Sequence, residues 1–77
     1  MEKDLIEYIV KSLVDEPDSV DIQVVEQDGS TVLELRVSEG DIGKVIGKHG
    51  RIAKAMRTVL QASSSKNGNR TVLEILD

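Results

Sequence analysis

Asp28-Gly29 separates two runs in which apolar and polar residues alternate, and this pattern commits the centre of the chain to a β-hairpin. Val20, Ile22 and Val24 alternate with Asp21 and Gln23, while Thr31, Leu33, Leu35 and Val37 are opposed to Glu34 and Arg36. Successive side chains on a strand point to opposite faces, so each run buries one face, and Asp-Gly supplies the positive φ angles that a two-residue hairpin turn needs. Ahead of the hairpin, Leu5, Ile6, Ile9, Val10, Leu13 and Val14 recur at spacings of three to four, with Glu7 four residues before Lys11 on the polar side. That periodicity predicts an amphipathic helix over residues 2–15, ended by Pro17 and the acidic stretch around it.

Behind the hairpin, Ser38 followed three residues later by Asp41 resembles a capping box and predicts a short helix over residues 39–46 that must stop at Gly47. Ile52, Met56, Val59 and Leu60 then recur at helical spacing, and Arg51, Lys54 and Arg57 every three residues along another side, which predicts a helix over residues 51–63. Ser63 to Asn69 reads as a polar loop, and Thr71 to Leu76 as a last strand. The predicted order is α-β-β-α-α-β, an α+β arrangement. A chain of 77 residues has room for one domain, residues 1–77, with one small core, since a chain near this size buries only about 60 to 65 % of its unfolded surface.

Several function classes are excluded at this level. There is no cysteine and one histidine, so disulfides, thiolate metal sites and multi-histidine zinc sites are ruled out, and neither metal nor cofactor is expected. His49 has no nucleophile and orienting group near it in sequence, and neither Gly40 nor Gly43 has the glycine five positions later that an NTPase phosphate loop requires. No catalytic residue is expected. The acidic, charge-interrupted start MEKDLIEYIV argues against a signal peptide, and no apolar run approaches the roughly 18 residues of a membrane span, so the expected location is the cytoplasm.

The net charge of −4 divides unevenly along the chain. Residues 1–41 hold 12 acids and 3 bases, giving −9, whereas residues 42–77 hold 2 acids and 7 bases, giving +5. From Ile42 to Leu73 there is no carboxylate, although Lys44, Lys48, Arg51, Lys54, Arg57, Lys66 and Arg70 all lie there. Such asymmetry predicts one cationic face on an otherwise acidic body, suited to a polyanion.

Gly47-Lys48-His49-Gly50 sits inside that window between the two predicted helices. Glycine lacks a β-carbon, so it turns the chain through positive φ and lets a ligand approach the backbone. The free N–H groups and positive dipole end of the following helix favour a phosphate there, and Lys48 and His49 can meet phosphates from the tip. Arg51 and Lys54 fall in the first turns of that helix, where the dipole disfavours cations by a few tenths up to roughly 1 kcal/mol each. A bound polyanion reverses that penalty.

The run Val45-Ile46-Gly47-Lys48-His49-Gly50-Arg51-Ile52 resembles the signature of the KH domain, and the element order is similar to the type II, bacterial arrangement; the size, acidic first helix and the run GKVIGKHGRIAKAMRTVL resemble the stand-alone bacterial KH proteins. The resemblance implies a three-stranded mixed sheet with the helices packed on one face, and a groove beside the loop for about four nucleotides of single-stranded RNA. Carried over residue by residue, Gly47 and Gly50 shape the loop, Lys48 and His49 face the RNA backbone, and Ile46 belongs to the apolar groove floor. Lys44, Arg51 and Lys54 are added as flanking phosphate contacts by charge alone. The family pattern usually has a large aliphatic at the third position after the second glycine, whereas here Ile52 comes second and Ala53 third. The resemblance further implies a homodimer or a heterodimer with a larger KH-containing protein, RNA chaperoning or post-transcriptional regulation, and a role in bacterial cell elongation or envelope growth. A protein-interaction module acting through that larger partner is the other function class left open. Tyr8 is the only aromatic, so base stacking on aromatic platforms is unavailable and base contact has to be aliphatic and polar.

Overall fold

The computed structural model describes residues 2–67 and 70–76, in the order α-β-β-α-α-β. Helix α1 (Glu2–Leu13) has Glu2 and Asp4 in its first turn and Lys11 in its last, the distribution that complements a helix dipole. Ile6 and Val10 are fully buried, and the Glu7–Lys11 pair forms on the polar side at 3.5 Å. The helix ends at Leu13 rather than at residue 15. The Val14 amide still donates to the Val10 carbonyl at 3.2 Å, but the chain then leaves the helix and makes a 3-10 turn over Pro17–Ser19.

Strands β1 (Asp21–Gln27) and β2 (Ser30–Arg36) pair antiparallel, from Asp21 opposite Arg36 to Gln27 opposite Ser30. Asp28 and Gly29 both take positive φ, 46° and 80°, as the sequence predicts for this turn. Strand β3 (Arg70–Leu76) pairs parallel to β2, so the sheet is mixed and three-stranded with β2 in the centre. Alternation decides its faces: Ile22, Leu33, Leu35, Thr71 and Leu73 are buried under the helices, whereas the row Val25–Val32–Val72 crosses the other face half-buried. α1 packs along β1.

A 3-10 turn over Glu39–Asp41 leads into helix α2 (Ile42–Ile46), which a tight loop joins to helix α3 (Arg51–Asn67). Three sequence expectations are corrected here. The Ser38 side chain makes no capping hydrogen bond, and the Asp41 carboxylate turns to another part of the chain described below. The expected loop from Ser63 is helical as far as Asn67, and the remaining residues of that stretch, 68 and 69, lie outside the described residues. Ser64 explains the extension: its buried Oγ accepts the Thr71 amide at 2.8 Å, so one more helical turn places a hydroxyl where the start of β3 needs an acceptor. The buried stripe of α3 accordingly runs Ala53, Met56, Leu60 and Ser64, and Val59, expected inside, is exposed.

The core consists of Ile6, Val10, Ile22, Leu33, Leu35, Val37, Val45, Met56, Leu60 and Leu73, all aliphatic or thioether side chains. Tyr8 stands 74 % exposed on α1 and contributes nothing to it. Val45 anchors α2 in this core from below, which sets the position of the loop at its end.

Candidate nucleic-acid interface

Helix α2 stops because Gly47 adopts φ 79° and ψ 169°, a backbone region open essentially to glycine alone. Its amide closes the helix by donating to the Gly43 carbonyl at 2.9 Å. A β-carbon at Gly47 would lie 2.6 Å from Ile52 Cγ1 and 2.9 Å from Ile52 Cβ, so glycine is required for space as well as for φ. Lys48–Gly50 then form a 3-10 turn in which His49 is left-handed (φ 59°, ψ 25°) and Gly50 has φ 72° with open space around it.

This turn adds free amides at the tip of the loop. The Gly50 amide donates to the Gly47 carbonyl at 3.0 Å and the Arg51 amide to the Lys48 carbonyl. Among the described residues the amides of Lys48 and His49 have no internal acceptor. The unsatisfied donors at this end of α3 thus include the amides of the loop's two variable residues, ahead of the helix start behind Gly50.

Lys48, His49, Arg51 and Lys54 are all exposed, and among the described residues none of them is paired with a carboxylate. Ile46, at the end of α2, is 37 % exposed next to this group, and half-buried Ile52 covers Gly47. Ala53 is buried in the body of the protein, so the apolar surface at the loop comes from Ile46 and Ile52. The structure brings Ile46 through Arg51 and Lys54 together as one patch: two free amides, four unpaired basic side chains and an aliphatic edge. Arg57, further along the same helix, is directed to the sheet, its Nε donating to the Leu73 carbonyl at 3.4 Å.

Lys44 does not join them. Its ammonium lies 3.2 Å from an Asp15 carboxylate oxygen and 3.5 Å from Asp41. Asp41, half of the capping box expected from the sequence, is buried and accepts the Asp15 amide on Oδ1 at 3.2 Å and the Glu16 amide on Oδ2 at 3.0 Å. It fastens the segment between α1 and β1 to the start of α2. The available signal was its position: Asp41 is the last acid before the carboxylate-free window and stands three residues ahead of Lys44.

Burial pushes the Asp41 carboxyl up, but the two backbone amides and the Lys44 ammonium outweigh that and hold it below the ordinary carboxylate range. Lys44 is raised in turn, mainly by its hydrogen bond and charge attraction to Asp15. A carboxyl whose folded pKa lies below its unfolded value of about 4 stabilises fully above that value and loses its contribution as pH falls through the folded pKa. The urea midpoint of the protein should therefore fall from pH 5 toward pH 2. Asp41→Asn should lower the midpoint at pH 7 and flatten that acid limb, so that variant and wild type converge at low pH. Parallel curves would mean that Asp41 carries no such linkage.

The family described as KhpA/KhpB, KH domain, matches residues 3–75 of the chain. RNA-binding protein KhpA of Borreliella burgdorferi is 58 % identical over 76 residues, covering 99 % of this chain and 93 % of that protein. RNA-binding protein KhpA of Treponema pallidum is 51 % identical over 77 residues, with 100 % and 96 % covered. RNA-binding protein KhpA of Clostridium perfringens is 53 % identical over 74 residues, with 96 % and 99 % covered. Among solved structures, Era in complex with MgGDPNP and nucleotides 1506–1542 of 16S ribosomal RNA superposes with a TM-score of 0.61, over 96 % of this chain and 28 % of that one, at 22 % identity. Aquifex aeolicus Era bound to GDP and aluminium fluoride superposes with the same score over 29 % of its length, and these likenesses establish the fold. Matched from residue 3 to residue 75 and more than half identical to relatives along nearly their whole lengths, the chain belongs to the KhpA/KhpB KH-domain family.

Proposed function

We propose that the chain, as a single KH domain over residues 1–77, is an RNA-binding protein that clamps single-stranded RNA with the Gly47–Gly50 loop. The observation that carries this reading is the patch of unpaired cations around a loop whose own two amides are free. Gly47 and Gly50 hold the turn, Lys48 and His49 meet the RNA backbone with side chain and amide, Arg51 and Lys54 take flanking phosphates, and Ile46 offers the bases an aliphatic surface. The names of the relatives, each an RNA-binding protein, support the same reading.

Without aromatic stacking, worth about 1–3 kcal/mol per base, one copy binds weakly and with modest base preference. Phosphate contacts dominate instead. Neutralising three phosphates through Lys48, Arg51 and Lys54 implies that log affinity falls with log salt at a slope near roughly −2. Titrating a mixed-sequence RNA oligomer between 50 and 300 mM salt checks this. No binding at the lowest salt would defeat the reading for the lone chain.

Weak binding by one domain favours assembly, because joining sites raises avidity without new contacts per site. A homodimer, or a heterodimer with a larger KH-containing protein, fits this requirement, and Leu5, Tyr8 and Leu13 on α1 and Val59 on α3 are exposed apolar side chains available for it. RNA chaperoning or post-transcriptional regulation in the cytoplasm, with a part in cell elongation or envelope growth, is the physiological role that the family resemblance supports. No helix among the described residues is long and apolar enough to cross a membrane.

A further inference from the structure

Among the described residues, Lys44 alone of the cations near the loop is held by carboxylates, and the way it is held is specific. It stands three residues before Gly47, less than one helical turn away, or about 5 Å along the axis. Its long flexible stem brings that loop within reach of the ammonium. Asp15 prevents this. The Asp15 side chain is 78 % exposed, yet its backbone is fixed, because its own amide is pinned by the buried Asp41. The same hydrogen bond that fastens the α1–β1 segment thus presents the Asp15 carboxylate to Lys44 at 3.2 Å. Asp41 alone makes a poorer partner for Lys44, since both of its oxygens already accept backbone amides and it stands farther off, at 3.5 Å.

We propose, resting on the RNA-binding reading above, that Asp15 withholds the Lys44 ammonium from RNA, so that Lys44 is a latent phosphate contact whose release tightens the grip of the loop. Exposed ion pairs are weak and screened by salt, and a phosphate backbone competes with them directly. Asp15 therefore lowers affinity without blocking binding. The withheld contact also keeps the lone domain in the weak-binding regime in which assembly decides the outcome.

The test measures RNA affinity and its salt slope for the full chain and three substitutions. Asp15→Asn keeps the backbone amide bonded to Asp41 and removes the carboxylate charge. Asp18→Asn is the control, an exposed acid in the neighbouring 3-10 turn that among the described residues makes no ion pair. It corrects for the general gain that any lost negative charge brings to binding a polyanion. Lys44→Gln removes the latent contact. One added phosphate contact steepens the slope by about 0.7 and strengthens binding roughly 3- to 5-fold at 0.1 M salt.

Asp15→Asn should show both changes beyond those of Asp18→Asn, and neither extra change should survive in the Lys44→Gln background. If Asp15→Asn matches Asp18→Asn while the wild type binds, or if its extra gain persists without Lys44, the proposal is overturned and the RNA reading stands. If neither the wild type nor Asp15→Asn binds at low salt, the RNA reading itself fails and takes the proposal with it.

Discussion

Replacing Lys48 and His49 together by aspartate should lower RNA affinity at least about 30-fold at 0.1 M salt while leaving the circular dichroism spectrum and the thermal midpoint nearly unchanged. Both side chains are exposed and, among the described residues, carry no ion pair, so the fold loses nothing that they hold. Aspartate is among the few residues that tolerate the left-handed backbone found at His49, so the turn survives the exchange. What is lost is a charge-assisted hydrogen bond to phosphate, worth about 1.5–3 kcal/mol, and what is gained is repulsion at the tip of the loop. The salt slope should become shallower by at least about 0.7 as the Lys48 contact disappears. The same variant separates the two function classes left open by the sequence. If association with a partner protein persists while RNA binding is lost, the two activities use different surfaces.

Gly47→Ala should cost roughly 3 kcal/mol of stability, and Gly50→Ala only about 1 kcal/mol. Either alanine is strained at positive φ by about 1–2 kcal/mol, but at Gly47 the new β-carbon also meets Ile52 at 2.6 to 2.9 Å, and overpacking of that kind typically adds about 1–3 kcal/mol. The contact includes Ile52 Cβ, which cannot swing away without moving the helix start. For a domain of this size the difference corresponds to a lowering of the thermal midpoint by roughly 10–20 °C against about 5 °C. Differential scanning calorimetry of the two variants distinguishes them. Equal losses would show that Ile52 does not pack over Gly47 as described. The contrast also qualifies any test that replaces both glycines by aspartate, since a charge at residue 47 disrupts the packing together with the phosphate site, whereas a charge at residue 50 meets open space.

The parts of the fold that repeat a local rule were readable from the chain. Asp28-Gly29 sets the hairpin because both positions accept the positive φ that this tight two-residue turn uses, and Glu7–Lys11 pair because residues four apart on a helix are neighbours. The misreadings arise where a side chain answers a distant backbone group. Ser63 to Ser65 look like a loop by composition, yet Ser64 is helical because the amide of Thr71, seven residues later, needs its oxygen. Asp41 looks like a helix cap, yet it satisfies the amides of Asp15 and Glu16, more than twenty residues earlier. Val59 has the spacing of a buried residue, but Ala53 carries the stripe inward in its place.

The candidate site divides along the same line. Gly47 to Gly50, Arg51 and Lys54 are contiguous or one turn apart, so sequence spacing sufficed to group them. Lys44 belongs to the same charge window but is claimed by an acid from another segment, which no local pattern reveals. Ala53, at a position where the family pattern has a large aliphatic, does not leave a hole at the surface; it fits the core, and Ile52 covers the loop.

The most direct test is to follow backbone amide resonances while an unstructured RNA oligomer of four to six nucleotides is added at low salt. The largest shifts should fall at Gly47 to Gly50 and at Arg51 to Lys54, with the Lys48 and His49 amides, the two free donors, moving furthest. Shifts concentrated instead on the Val25–Val32–Val72 face of the sheet or on Leu5, Tyr8 and Leu13 of α1, with the loop unmoved, would contradict it.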